Sequence, residues 1–559
     1  MKSSLRSLED LQDQYGEGLA AAKLRLLRRL ARTRQPLAAS VSRLHEALLF
    51  LRAYPDDQAV LEQVEEMLRD FHRRPDLRRF AAELEDSGIA GTAIVYSFFH
   101  ELARWLASRW GGFLTVEWEQ LTAPERLERV LPLLTLWCET PALDELPLEL
   151  RELVGRLKGP EETDAVFLLR RVDALELDAR TREWFFEQLD LWLRLAPGPD
   201  TPSRTRAKEP RRKIHYQVRA LDRGRPDLAA EVARPPLSVR AVSRREGQRL
   251  IDLARGAMVT RSRDLDVFAY GDPGDVRLLR HEDGLEFASI GLIPERRLLF
   301  EAVYGFLTLK NGVPIGYVLN SALFGSAEVA YNVFDVYRGA EAGRIYGRVI
   351  STLHHLFGTD SYVVYPYQLG GGGNREGLES GAWWFYQKLG FRAREPEVLK
   401  RMEAELARMR RHPRHRSSEA VLGELVEDNV YLHMGRRRDD VIGLAPLAEA
   451  GGVVMDAVAG RFGSDREAAT RVCGREAARA LGLRSLAGFS DGERMAWERW
   501  APVVTALPGL GRWPAADRRA LVEVIRAKGG RRESDYVALF DAHARLRKAL
   551  LTLGARGLR

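Results

Sequence analysis

Over the first 195 residues, apolar side chains recur every three or four positions, which is the spacing of one buried face of an α-helix. Short breaks made by proline and glycine separate the helical stretches, so consecutive helices are expected to pack as neighbours. The pattern predicts an α-helical domain over residues 1–196. Its helical series include Leu24, Leu27 and Leu30, and further along Phe185, Leu189 and Leu193.

The helical pattern stops at Pro197, and a basic stretch follows. Between Arg204 and Arg219 there are seven basic residues and one acidic residue, Glu209. Such a stretch could neutralise phosphates, but it has no interleaved aromatic residues for base stacking apart from Tyr216. We therefore expect residues 197–235 to form a solvated linker, and nucleic acid is not the expected partner.

Strand patterns dominate the next part of the chain. Two strands are expected at Asp275–Arg280 and Leu285–Leu292, and a third at Phe300–Leu309. Asn311-Gly312 is the strongest hairpin signal in the chain and joins the third strand to Ile315–Asn320.

A different order follows: a strand at Glu328–Val336, a turn containing glycine, a helix ending at Gly358, a strand at Ser361–Gln368, and a helix through Ala382–Phe391. Strands separated by a helix of this length lie parallel to each other. A helix that begins on a glycine turn presents free N–H groups and the positive end of its dipole, which favours a phosphate.

The residues of this region resemble the GCN5-related N-acyltransferase (GNAT) superfamily. The family's pyrophosphate loop begins with Arg or Gln and ends with Gly or Ala, as Arg338 and Gly343 do here, although Glu341 stands where the family has glycine. A later family signature is matched by Ala382, Tyr386, Gly390 and Phe391. The resemblance covers residues 236–435 and implies a mixed sheet flanked by helices.

The resemblance also implies a donor site for acetyl-CoA or another acyl-CoA. The expected pyrophosphate donors are the backbone N–H groups of the turn, with charge from Arg338 and a further contact from Asn374. A main-chain N–H near Phe334 or Val336 is expected to stabilise the oxyanion. The complete set is Phe334, Val336, Arg338, Gly339, Ala340, Ala342, Gly343, Arg344 and Asn374. Glu341 must either turn to solvent or leave the donor to be held through its pantetheine arm, as an acyl carrier would allow.

Catalysis of acyl transfer to an amine requires a proton donor and a base. By analogy with the family, Tyr386 is expected to protonate the departing thiolate, whereas the aromatic helix around it also fits a core tyrosine. An alkylamine is mostly protonated near pH 7, so a base is needed to remove its proton. Asp335 and Glu328 are the main candidates, with Glu379 and His354 as further options.

Helical spacing returns after Arg436 and predicts a C-terminal α-helical domain over residues 436–559. Shortly before Arg436, the chain contains His412, His415 and His433, which suggest a metal site. No carboxylate or cysteine is spaced to complete one. No metal is expected. The fold class is therefore α+β and multidomain, with a sheet domain between two helical domains.

Composition limits the function classes. The 559 residues carry a formal net charge of +7 and only two cysteines, so a disulfide scaffold is not expected. No stretch is apolar enough to span a membrane, and the N-terminus lacks the apolar segment of a signal peptide. A cytoplasmic protein without a membrane partner is expected; the sequence leaves its oligomeric state open.

The resemblance implies an N-acyltransferase that moves an acetyl or other acyl group from CoA to a small-molecule or protein amine. Two alternatives stay open. In one, the domain binds acyl-CoA as a sensor without catalysis, which Glu341 favours, as does the displacement of the family's asparagine: Glu379 stands at its place and Asn374 lies five residues upstream. In the other, the chain is an interaction or nucleic-acid-associated protein that uses the basic stretch from Arg204 to Arg219.

Overall fold

A computed structural model of the chain describes residues 3–211 and 213–558. Within these residues the strands form two sheets. Their bounds are β1 Ile94–Tyr96, β2 Leu114–Val116, β3 Leu193–Leu195, β4 Ser238–Ala241, β5 Gly271–Arg280, β6 Leu285–Leu292, β7 Ala302–Lys310, β8 Val313–Leu323, β9 Ser326–Val333, β10 Ser361–Val364, β11 Arg392–Ala393 and β12 Val430–His433.

The helices surround and connect these strands. Their bounds are α1 Ser4–Leu11, α2 Leu19–Arg32, α3 Ala38–Ala53, α4 Gln58–Arg69, α5 Pro75–Arg79, α6 His100–Trp110, α7 Pro124–Val130, α8 Thr140–Glu145, α9 Leu150–Leu157, α10 Asp164–Asp173, α11 Ala179–Gln188, α12 Leu228–Val232, α13 Arg244–Val259, α14 Asp266–Ala269, α15 Ala342–Phe357, α16 Pro366–Leu369, α17 Arg375–Glu379, α18 Ala382–Leu389, α19 Pro396–Arg411, α20 Glu419–Leu425, α21 Leu447–Phe462, α22 Arg466–Leu481, α23 Asp491–Ala506, α24 Ala515–Lys528, α25 Glu533–Ala542 and α26 Ala544–Gly557.

The chain divides into two structural units. Unit 1 contains residues 1–221, 249–270 and 310–315, and unit 2 contains residues 222–248, 271–309 and 316–559. This division differs from the four segments expected from the sequence, because most of the basic stretch groups with the N-terminal helices and the C-terminal helices group with the large sheet.

Unit 1 is mostly helical, as predicted, but it also holds the small antiparallel sheet β1-β3-β2. The expected helical series through Leu193 was wrong at its end. Asp190 has a φ of +50°, in the left-handed region that a helix cannot continue through. Leu193 and Leu195 are then buried as alternate residues of β3, so two apolar residues are placed by strand pairing and not by a helix.

The basic stretch is packed within unit 1, which contradicts the expectation of a solvated linker. Thr205 is buried, its backbone carbonyl accepts from Arg52 Nη1 (2.7 Å), and its hydroxyl lies 2.8 Å from His45 Nε2. Lys208 and Arg211 pair with acidic side chains of the same unit, so part of the basic charge is already compensated.

The large sheet of unit 2 has the order β11-β12-β10-β9-β8-β7-β6-β5-β4 in the described part of the chain. β9 and β10 are parallel, as the sequence predicted, and β4–β5, β5–β6, β8–β9, β10–β12 and β11–β12 are antiparallel. The hairpin at Asn311-Gly312 is confirmed, with positive φ at both residues (+52° and +80°). Helix α15 packs on β9, and its apolar residues are buried.

The helices after residue 436 pack onto this sheet through a buried polar cluster. The Lys528 ammonium pairs with the Glu533 carboxylate, and both side chains are buried. The Glu533 N–H donates to Asp275 Oδ2 (3.1 Å), and the Tyr304 hydroxyl donates to the same oxygen (2.6 Å). The predicted C-terminal helical domain belongs to unit 2, and separating it from the sheet would remove the backbone donor that Glu533 supplies to the buried Asp275 carboxyl.

Candidate functional site

β9 and β10 form a fork. Their parallel pairing covers Ser326–Glu328 of β9, opposite Ser361–Val363 of β10. β10 ends one residue later, at Val364, because Pro366 has no N–H for a ladder and begins α16. β9 continues to Val333. From Val329 onward, the edge of β9 that faces β10 therefore presents backbone groups with no strand beside them.

Two strand predictions were too long, and both errors lie at this fork. Val336 was expected on β9 but lies in a 3-10 turn, Asp335–Tyr337, in which the Tyr337 N–H donates to Phe334 O (2.8 Å). Gln368 was expected on β10 but lies in α16. The strands stop early because these local hydrogen bonds replace a partner strand.

A cavity of about 230 Å³ lies along the open edge of β9. It brings together four of the residues predicted for donor binding or catalysis: Arg338, Ala342, Asn374 and Tyr386. The other lining residues come from β9, α16 and the segment from α17 to α18: Tyr331, Asn332, Val333, Gln368, Glu376, Gly377, Ser380, Ala382 and Phe385. We call this cavity the fork cleft.

Tyr386 lies at the wall of the fork cleft and is 3% exposed. Burial raises the pKa of its hydroxyl well above the ordinary value, and a hydrogen bond from the Tyr331 backbone N–H partly opposes this shift. Tyr386 is thus protonated throughout the physiological pH range. Its ring packs in an aromatic cluster with Tyr346 (5.5 Å between centroids) and Phe391 (5.5 Å), so its hydroxyl is held at the strand edge.

The bond from Tyr331 also fixes which backbone groups face the cleft. Successive N–H groups of a strand point to opposite sides, so the Val333 N–H points to the same side as that of Tyr331. The Val333 carbonyl accepts from Arg338 Nε (3.3 Å), which places it on this side too. Because the Tyr331 N–H already donates to Tyr386, the next main-chain donor on this side of the cleft is the Val333 N–H. Val333 adjoins Phe334, one of the two residues near which the sequence prediction placed this donor.

Chain segments of unit 2 already occupy the start of α15. The Ala340 N–H donates to Tyr337 O (3.0 Å), and the Gly339 carbonyl accepts from Arg223 Nε (2.8 Å). A Cβ added at Gly343 would lie 3.3 Å from Gly224 O. Of the predicted pyrophosphate donors, Gly343 thus lies against another backbone segment, the Ala340 N–H is used within its own turn, and Gly339 is bound through its carbonyl oxygen by the Arg223 side chain.

Both arginines of the turn are paired with carboxylates. Arg338 Nη2 pairs with Asp335 (2.6 Å) and with Glu376. Arg344 pairs with Asp283 (2.6 Å) and with Glu341 (3.0 Å). Glu341 does not turn to solvent, because it is 2% exposed.

For the acetyl-CoA site that the sequence resemblance implies, we expect Arg338→Ala to change the KM by less than about threefold, because the positive charge of Arg338 is already balanced by Asp335 and Glu376. Steady-state kinetics measures this, and Arg375→Ala on neighbouring α17 serves as the matched control. A rise of more than about tenfold for Arg338→Ala alone would show that this guanidinium binds a donor phosphate.

Asn374 caps α17. Its side-chain oxygen accepts from the Gly377 N–H (3.1 Å), and its amide nitrogen donates to Tyr367 O (2.7 Å). It therefore shapes the wall of the cleft by holding the segment between α16 and α18.

Glu328 lies where the fork opens, as the last residue of β9 paired with β10. Burial and the neighbouring Glu301 carboxylate raise the pKa of Glu328 to about 7. The Ser321 hydroxyl donates to Glu328 Oε2 (3.2 Å), and the two residues are register partners, so their side chains share one face of the sheet. The same carboxylates and burial raise the pKa of the Tyr365 hydroxyl. A carboxyl group that titrates near pH 7 is suited to general-base chemistry.

The other candidate bases have different surroundings. The Asp335 side chain is 78% exposed and pairs with Arg338, and Glu379 is 72% exposed beside Arg375. His354 Nδ1 lies 2.8 Å from Thr359 O at the end of α15. His415 pairs with Glu405, and His433 contacts Ser361.

Ser321, Glu301 and Tyr331 were missed by the sequence reasoning. Ser321 and Tyr331 gave no local signal, because strand register places Ser321 beside Glu328 and the position of α18 at the edge of β9 places Tyr331 beside Tyr386. Glu301 was assigned only as a residue of the predicted strand Phe300–Leu309. The strand pattern does not show that its carboxylate lies close to Glu328.

Comparisons of the chain with protein-family models, with curated proteins and with solved structures gave no match. Within the residues that the structure describes, no helix combines the length and apolar character needed to cross a membrane. The same residues contain no group of three or more His, Cys, Asp or Glu side chains arranged to hold a metal ion.

Proposed function

We propose that unit 2 is an N-acyltransferase that moves an acyl group from a pantetheine thioester, as in acetyl-CoA or another acyl-CoA, to an amine. The resemblance of Ala382, Tyr386, Gly390 and Phe391 to the GNAT signature suggested this reaction. The observation that carries the proposal is the fork between β9 and β10, with a buried tyrosine hydroxyl at its edge and a carboxyl group titrating near pH 7 at its base.

In this proposal the thioester lies in the fork cleft. Its carbonyl oxygen accepts from the Val333 N–H, which stabilises the negative charge that develops on that oxygen. The Tyr386 hydroxyl donates a hydrogen bond to the sulfur. Because burial raises the pKa of Tyr386, full proton transfer to a thiolate is unfavourable, so the hydroxyl stabilises the leaving sulfur without becoming ionised.

The amine approaches from the face of β9 that carries Glu328. With a pKa of about 7, the carboxylate accepts a proton from the ammonium form and leaves a neutral amine. The amine nitrogen attacks the thioester carbon, a C–N bond forms and the C–S bond breaks. The second amine proton passes to the sulfur, so the products are an amide and a free thiol.

Release of free thiol from acetyl-CoA, measured with a panel of small-molecule and peptide amines, tests the proposal. We expect amine-dependent release that rises with pH through about 7, since Glu328 must be deprotonated. A slow release that is the same with and without amine would show only hydrolysis and would contradict acyl transfer.

A second candidate is an acyl-thioester sensor. It is favoured by the pairing of Arg338 and Arg344 with carboxylates, which removes charges that a donor site would otherwise use. Tight thioester binding at the fork cleft without turnover, for every amine tested, would support the sensor.

A further inference from the structure

Residues 222–235, here called the strap, run along one face of α15 within unit 2. Helix α15 offers a small residue every four positions on this face, at Gly343, Gly347 and Ser351. A Cβ at Gly347 would lie 2.9 Å from Glu231 Cγ, and the Ser351 hydroxyl donates to Arg234 O. The strap therefore follows the helix closely over about two turns.

The strap reaches the N-terminal turn of α15. A Cβ added at Gly343 would lie 3.3 Å from Gly224 O and 3.3 Å from Pro226 Cδ, both of which belong to the strap. Beside this contact, the Arg223 guanidinium donates to Gly339 O. A backbone carbonyl oxygen and a proline ring are thus positioned where a phosphate on this face of the helix would need space.

The charge around the same turn also disfavours a phosphate. Three guanidinium groups, those of Arg338, Arg344 and Arg223, lie around this turn with four carboxylates, so these side chains carry a net charge of −1. The carboxylates are those of Asp335, Glu376, Glu341 and Asp283. A diphosphate would meet repulsion here instead of the usual positive potential.

The fork cleft has a different lining. Apart from Arg338 and Glu376, its lining residues are uncharged, and β9 offers main-chain groups along its length. Such a lining suits the amide-containing, uncharged pantetheine arm, which can pair with an open strand edge.

We propose that the donor is recognised through its acyl-pantetheine arm alone and that no diphosphate binds at the N-terminus of α15. This inference rests on the proposed function. Two donors carry this arm, CoA and the phosphopantetheine group of an acyl carrier protein. Both would present the same acyl-pantetheine atoms to the fork cleft.

The test compares acetyl-pantetheine, acetyl-CoA and an acetylated acyl carrier protein as ligands of the full chain by titration calorimetry. Acetyl-pantetheine and acetyl-CoA should bind within about threefold of each other, and adenosine 3′,5′-bisphosphate should not compete with either. If the carrier protein binds more tightly than acetyl-pantetheine, the acyl carrier protein is the donor that the chain recognises. If the two bind equally, the carrier protein adds no contacts and acetyl-CoA serves as the donor.

A preference for acetyl-CoA of more than about tenfold over acetyl-pantetheine, about 1.4 kcal/mol, would overturn the inference while leaving the acyltransferase proposal intact. If none of the three thioesters bound, the proposed function would fail, and this inference with it.

A charge variant gives an independent check. Asp283→Asn removes a carboxylate partner of Arg344 and lies outside the lining of the fork cleft, so it should raise the affinity for acetyl-CoA by about threefold or more and leave that for acetyl-pantetheine unchanged. Glu379→Gln, an exposed carboxylate on α17, is the control and should change neither. Equal changes for both thioesters in Asp283→Asn would contradict the charge explanation.

Discussion

Glu328→Gln should lower amine-dependent turnover by about 10²–10⁴-fold, the range that general bases supply. The substitution keeps the size of the side chain and its contact with Ser321, so the fork should keep its shape. It removes the group that accepts the ammonium proton. Steady-state thiol release, measured with one amine acceptor from pH 5 to 9, gives the effect.

The pH dependence distinguishes a base from a structural residue. Burial and Glu301 raise the pKa of Glu328 to about 7, so the kcat/KM of the parent should rise with pH up to about 7 and then level. Glu301→Gln removes a neighbouring negative charge and should move this rise to lower pH. Glu379→Gln, an exposed carboxylate, should leave the profile unchanged.

The stability of the parent protein should fall with rising pH over the range in which its activity rises. The folded-state pKa of Glu328 is raised above the ordinary value of 4.5, so the folded state holds the proton more tightly and loses stability as pH rises from about 4.5 to 7. Above pH 7 the free energy of unfolding of Glu328→Gln should exceed that of the parent by up to about 3 kcal/mol. Below pH 4 the two proteins should be equally stable. A variant that is less stable than the parent at pH 8 would show that Glu328 has a structural role.

Tyr386→Phe should lower turnover by about 10–10³-fold while donor binding changes little. The variant keeps the ring and its contacts with Tyr346 and Phe391, and it loses only the hydroxyl at the edge of β9. Loss of the hydrogen bond from the Tyr331 backbone should cost about 1 kcal/mol of stability. Turnover, calorimetric binding of acetyl-pantetheine and thermal melting measure the three effects.

Tyr346→Phe is the matched control. Tyr346 belongs to the same aromatic cluster, but its buried hydroxyl makes no hydrogen bond within the described residues, and it does not line the fork cleft. Its removal should leave turnover unchanged. Equal losses of rate in both variants would assign the effect of Tyr386→Phe to packing, and unchanged turnover in Tyr386→Phe would remove the hydroxyl from the mechanism.

The sequence by itself determined the elements whose signals are local. The Asn311-Gly312 hairpin, the Gly358 stop of α15 and the parallel order of β9 and β10 follow from turn chemistry and from the helix between the strands. Glu328 was named from its place on the predicted strand before the turn, and Tyr386 from the family resemblance. These features depend on residues that are neighbours along the chain.

The tertiary structure decided what depends on distant residues. Contact with the strap changes the surroundings of Gly343, and the Asp283 carboxylate, far along the chain, pairs with Arg344. Neither partner can be read from the turn itself. The pKa of Glu328 likewise depends on burial and on Glu301, which approaches only when the sheet forms. Local sequence therefore determined the hairpin, the end of α15 and the order of the parallel strands, whereas the strand ends at the fork and the electrostatics of the site depend on residues that only the folded chain brings together.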